Sequence, residues 1–179
     1  FKNVVFTNQL TFRAISIDDD TYVNMTGAHL ETGRIEQPEQ NWMRYDLTSA
    51  TLGDLTLRSL NGGNKQLLDY FRFCETDFDT EHNEFDFGNH YDYFRKNDWN
   101  IHSFNENNAD FNYTVDMTPG VTERTYKKAR EASIATGAKK AVGEFRVKEN
   151  RYARKSEWKY AKDSSRSLPH RLKSVFRCA

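Results

Sequence analysis

Asp77, Asp79, Glu81 and Glu84 place four carboxylates within eight residues, which is the ligand chemistry of a hard cation such as calcium. A calcium loop also needs Gly at its sixth position, for the sharp turn, and a bidentate Glu at its twelfth. Counted from Asp77, those positions hold His82 and Gly88, so the geometry fails and a solvated acidic surface is expected. His82 and His90, with Asp79, Glu81 and Asp92 nearby, are ligand types for zinc or iron. Their spacing does not bring both imidazoles onto one helical turn, and the pair reads as polar loop histidines.

Other reaction chemistry lacks a signature. The chain carries 26 carboxylates, and nothing marks two of them as a buried acid/base pair. There is no Gly-x-Ser-x-Gly elbow, no phosphate-cradling glycine loop and no dinucleotide fingerprint. Cys74 and Cys178 have no paired spacing for a zinc knuckle or a redox motif, and two reduced thiols are expected. The reading is therefore non-catalytic, without metal, cofactor or small-molecule substrate.

Two stretches offer binding chemistry instead. "EFDFGNHYDYFRKNDWN" (84–100) alternates large rings with carboxylates and amides. Around it, residues 75–116 hold 11 carboxylates, 2 basic residues and 10 aromatics. The second stretch, "FRVKENRYARKSEWKYAKDSSR" (145–166), interleaves rings with Lys and Arg. Arg, Tyr and Trp are the residue types most enriched where protein interfaces carry their energy. The expected partner-binding residues are Phe85, Phe87, Tyr91, Tyr93 and Trp99 in the acidic stretch. In the basic one they are Arg146, Arg151, Tyr152, Arg154, Trp158 and Tyr160.

Charge divides the same way. Residues 1–120 hold 9 Lys/Arg against 20 Asp/Glu, and residues 121–179 hold 17 against 6, so a net charge of zero conceals opposite ends. Such a split suggests an interaction tail whose acidic partner is nucleic acid, anionic lipid or protein; it also allows the basic tail to fold back on the acidic middle, or head-to-tail self-association. No apolar run approaches the ~20 residues of a membrane span. The first residue is Phe rather than Met, which leads to the expectation of a processed, organellar protein of mitochondrion or plastid.

The elements that must position these residues are less regular. Residues 1–26 read as extended, with "LTFRAISI" and "TYVNMT" as the arms of a hairpin around "DDD" at 18–20. Trp42, Met43 and Tyr45 read as an anchor onto a core whose centre lies in residues 46–73. There Leu67, Leu68, Phe71 and Phe73 fall on a helix-like stripe. A helix is predicted over 117–137, with Thr122 as N-cap and Gly137 as its stop, and a second over 138–163. No internal repeat is evident. Tyr22, Asn24, Thr26, Asn41, Trp42 and Arg44 resemble the YxNxT and NWxR elements of KilA-N domains, which would imply DNA binding. Gly33 and Pro38 interrupt the segment between them, its usual lysines are missing, and the chain is not assigned to that family.

The sequence thus predicts an α+β protein in three parts: a compact mixed core over 1–75, a loop-rich acidic and aromatic segment over 76–118, and a basic helical arm and tail over 119–179. Its predicted role is that of an accessory or linker subunit stabilising a large assembly, such as a respiratory, ribosomal or light-harvesting complex. Nucleic-acid binding through the basic third is the alternative.

Overall fold

Every strand pairing among the described residues is parallel, and the register explains why. A computed structural model describes residues 1–13, 22–38, 42–60, 64–79, 85, 87–104 and 117–162. Strands β1 (Val5–Phe6) and β2 (Leu10–Arg13) both lie beside β4 (His29–Gln37). Beyond it come β6 (Thr51–Ser59) and β8 (Asp77–Phe78). A second sheet stacks β3 (Tyr22–Asn24), β5 (Arg44–Asp46) and β7 (Phe71–Arg72). His29 faces Thr51 and Tyr22 faces Arg44, a step of 22 residues in each sheet; the next step, Tyr45 to Phe71, is 26. A chain that alternates between two sheets and returns beside itself every 22–26 residues is a parallel β-solenoid, each coil packing on its neighbours.

The coils repeat in side chains as well as backbone. Inward columns run Met25–Leu47–Phe73, Leu30–Leu52–Phe78 and Ala28–Ala50–Thr76, all buried. The corner beside them is built alike each time. Asn3, Gly27, Ser49 and Glu75 all have φ between 51° and 68°, and their backbones stack through Asn3 N–H to Thr26, Gly27 N–H to Thr48 and Ser49 N–H to Cys74 carbonyls. Only Gly27 adopts this left-handed turn without a Cβ penalty; the others carry a cost of roughly 1–2 kcal/mol each. Before the corner, Asn24 Oδ1 accepts from Thr26 N–H at 2.9 Å, and 22 residues later Asp46 Oδ1 accepts from Thr48 N–H at 3.0 Å. Gly53 has a different reason: a Cβ there would sit 2.2 Å from the Glu31 carbonyl oxygen of the coil below.

Two ionic groups fasten the stack. Asp46 is buried and accepts from Arg72, from Thr48 Oγ1 at 2.6 Å and from the Tyr22 hydroxyl at 2.6 Å, tying three coils together. Burial pushes its carboxyl up, but the bonds from Arg72, Thr48 and Tyr22 outweigh that and hold it below its usual value. On the outer face of the larger sheet, Glu36 has no solvent contact because Arg13 and Arg58, from the coils on either side, fold over it. Hydrogen bonding to Arg13 holds its carboxyl below the usual range.

The last coil is closed by rings. Phe85 and Phe87 are buried against Phe73 and Phe78, and Phe94, Trp99 and Phe145 are buried behind them, with Phe87 4.8 Å from Phe145 at 80° and Trp99 5.0 Å from it at 83°. Phe94 comes from helix α1 (Tyr91–Lys96) and Phe145 from α3 (Lys139–Lys162). Helix α2 (Pro119–Ala135) rests on the final corner: Thr125 Oγ1 accepts from Glu75 N–H at 2.9 Å, and Lys128 reaches Asp77 at 2.7 Å. Helices α2 and α3 form an antiparallel hairpin turning at Gly137 (φ 72°).

The α+β class and the two C-terminal helices match the sequence reading. Several local expectations do not. Leu10–Arg13 and Tyr22–Asn24 are not hairpin partners; they lie in different sheets, each parallel to a strand one coil on. Residues 64–70 form a 3-10 turn leading into β7 rather than a helical stripe. The N-cap of α2 is Thr118, whose hydroxyl accepts from Val121 N–H with Pro119 following, while Thr122 lies inside the helix. One hydrophobic cluster runs from Val23 to Phe145, across the expected boundaries at 75 and 118. The turn at 18–20, the break at 61–63, Glu81, His82, Glu84, Cys178 and the tail from residue 163 lie outside the described residues.

Candidate functional site

The expected binding residues separate into two groups. Phe85, Phe87 and Trp99 are 5%, 0% and 3% exposed, and belong to the plug over the last coil. This corrects their reading as a surface for partners: the uncovered apolar end of the solenoid is the nearest place for rings to leave water, and each gains ~1.5–3 kcal/mol there. Tyr91 and Tyr93 are half-buried against Trp99 and Phe94. Tyr152 is also half-buried, stacked on Tyr126 with centroids 5.6 Å apart. Arg146, Arg151, Arg154, Trp158 and Tyr160 are exposed on α3.

The geometry of α3 follows from how it is held. Phe145 enters the plug, Lys148 pairs with Asp98 at 2.6 Å and Glu149 with Arg130 at 2.6 Å. These contacts fix one face inward. The opposite face carries Val147, Arg151, Arg154 and Trp158 at i, i+4, i+7 and i+11, which 100° per residue places within one narrow stripe. Val147 is 63% exposed and Trp158 50%, and both arginines are exposed. Lys162 lies 5.9 Å over the Trp158 ring. Arg146 sits off this stripe. Val147 was not among the expected residues, although its spacing from Trp158 is visible once the helix is assigned.

Beside the stripe, a cleft of about 800 Å³ opens between the first turn of α2 and the last turns of α3. Arg124, Lys155, Lys159 and Lys162 line it together with Trp158 and Tyr160, and among the described lining residues there is no carboxylate. Arg124 also pairs with Glu75. Helix α3 as a whole holds nine lysines and arginines against three glutamates. Its exposed end can therefore attract an acidic surface and offer rings to it.

Two titratable groups lie wholly or partly buried near the hairpin. His102 donates to or accepts from the Tyr126 hydroxyl at 3.1 Å, and burial, aided by Lys148 and Lys155, pushes its pKa down to about 4. Cys74 is buried beside Thr125 and Met117, and burial raises its thiol pKa. Among the described residues, no group of three or more His, Cys, Asp or Glu side chains could hold a metal ion, and no helix is long and apolar enough to cross a membrane.

Fold and surface together define a parallel β-solenoid with one end plugged by rings and a helical hairpin whose outer face is basic and aromatic. No protein-family model, no curated protein and no solved structure matches the chain.

Proposed function

We propose that this protein is a non-catalytic accessory or linker subunit of a multi-protein assembly, docking through the outer face of α3 onto an acidic protein surface. The exposure of Trp158 carries the reading. A half-exposed Trp on one stripe with Val147, Arg151 and Arg154 leaves apolar area in water that a partner would cover. Arg forks pair with carboxylates bidentately, and the surrounding lysines would speed the encounter. The solenoid and its plug act as the rigid body that presents the helix.

The test is to recover the tagged protein from its native cells after nuclease treatment. An Arg151→Glu, Arg154→Glu double variant should lose a specific acidic partner while keeping the wild-type melting curve. Retention of all partners by the double variant would refute the reading. Nucleic-acid binding is the second reading, favoured by four cations and two rings around one cleft. It requires retention on single-stranded DNA or RNA that falls steeply with salt.

A further inference from the structure

The strands of the larger sheet do not keep one alternation from end to end. Leu30 and Leu52 are buried inside the coils, so strict alternation would also turn Thr32 and Asp54 inward. They do not turn in. Ile35 and Leu55 are the next buried side chains, and Thr32, Arg34, Asp54, Thr56 and Arg58 open onto one cleft of about 520 Å³, together with Gln9. The register sets their spacing: Thr32 stands beside Asp54, Arg34 beside Thr56 and Glu36 beside Arg58 on neighbouring parallel strands. Among the described lining residues there is no aromatic or aliphatic side chain. Such a surface gives nothing for a base to stack on and no apolar wall for a lipid chain.

The arginines are placed for an anion. Arg13, Arg34 and Arg58 surround a single carboxylate, that of the buried Glu36. Arg13 and Arg58 pair with it directly, while Arg34 stays at 3.9 Å. More guanidinium charge therefore surrounds Glu36 than it neutralises. The two cleft arginines, Arg34 and Arg58, remain 40% and 44% exposed. Among the described residues, the side chains of Gln9, Thr32, Asp54 and Thr56 have no hydrogen-bond or ion-pair partner.

We infer that this cleft binds a small hydroxylated anion, with the chemistry of a sugar acid or a sugar phosphate. The acid group sits on the forks of Arg34 and Arg58, which match carboxylate and phosphate oxygens bidentately. The hydroxyls go to Asp54, Gln9 and the two threonines. Asp54 decides against a bare anion: a carboxylate in the same cleft repels inorganic phosphate but accepts hydroxyl protons from a sugar ring. The site shares no residue with the α3 face, and either can fail without the other.

Isothermal titration calorimetry of the purified 179-residue chain with sodium glucuronate, glucose 6-phosphate, glucose and inorganic phosphate tests it. At least one of the two sugar anions should bind roughly tenfold more tightly than glucose and than inorganic phosphate, and the one that binds identifies the acid group. Arg34→Gln should weaken that binding roughly tenfold and keep the wild-type melting curve, because Arg13 and Arg58 still hold Glu36. Asp54→Asn should narrow the preference for the sugar anion over inorganic phosphate. Trp158→Ala should leave binding unchanged. No heat from either sugar anion at millimolar concentration would overturn the inference. So would inorganic phosphate binding as tightly as the sugar anions, which would mean an adventitious ion only, or binding indifferent to Arg34→Gln.

Discussion

Residues 85–99 and residues 151–162 both alternate rings with charged or amide side chains, yet the two stretches use their rings in opposite ways. In the first, Phe85, Phe87, Phe94 and Trp99 turn inward and close a solenoid. In the second, Trp158 and Tyr160 face outward, at 50% and 45% exposure. The alternation of residue types is similar; what differs is what lies beside it. Residues 85–99 follow directly on a coil whose apolar end needs covering. The end of α3 runs past the plug, beyond Phe145 and Tyr152, and its rings Trp158 and Tyr160 stay about half exposed. Interleaved rings and charges therefore report a surface only where no uncovered core is within reach.

The largest effects should come from breaking the inward half of this contrast. Phe87→Ala or Phe145→Ala leaves a cavity in the plug and should cost ~3–5 kcal/mol in urea unfolding. A loss below ~1 kcal/mol would mean the rings do not seal the coil.

Next is the clamp between coils. Arg72→Leu leaves Asp46 buried without its cation and should cost about 3 kcal/mol at neutral pH. Because the folded Asp46 carboxyl lies below its usual value, its stabilisation is present above the unfolded pKa and is lost as pH falls through the folded one. The deficit of Arg72→Leu should thus shrink in acid, and a deficit constant with pH would place the effect elsewhere.

His102 gives a smaller, pH-dependent effect. Its folded pKa of about 4 lies below the 6.5 of a free imidazole, so between those values the unfolded chain binds the extra proton. Stability should fall as pH drops from about 6.5 to about 4, by on the order of 2 kcal/mol given its partial exposure. His102→Gln should flatten that window in thermal melts at successive pH values.

The smallest effect on stability belongs to the outward half. Trp158→Ala should change unfolding free energy by less than ~0.5 kcal/mol, because half the ring is already in water. A loss comparable to that of Phe145→Ala would erase the contrast.

The helices were legible because their signals are local: Gly137 stops α2, and a polar periodic run carries α3. The solenoid was harder to read because its signal spans 22 residues. "TGAHL" (26–30) and "TSATL" (48–52) share Thr, Ala and Leu at every second position, and "CETDF" (74–78) keeps only the hydrophobic last residue of that set. Successive steps of 24, 22 and 26 residues blur such a repeat, and each strand alone resembles an ordinary edge strand. The plug was misjudged for a related reason. A ring's exposure depends on the coil end it covers, and that end exists only once the coils are stacked. On α3, Arg151, Arg154 and Trp158 were readable from residue type, whereas Val147 needed the helical face to link it to them.

The native mass of the endogenous protein, measured for the wild type and for Trp158→Ala combined with Arg154→Glu, tests the docking role most directly. The account predicts that the wild type migrates in a particle larger than two copies of this 21.0 kDa chain, and that the variant falls to the mass of one or two copies with its melting temperature unchanged. A wild type that never exceeds two copies, or a variant that stays in the larger particle, would contradict it.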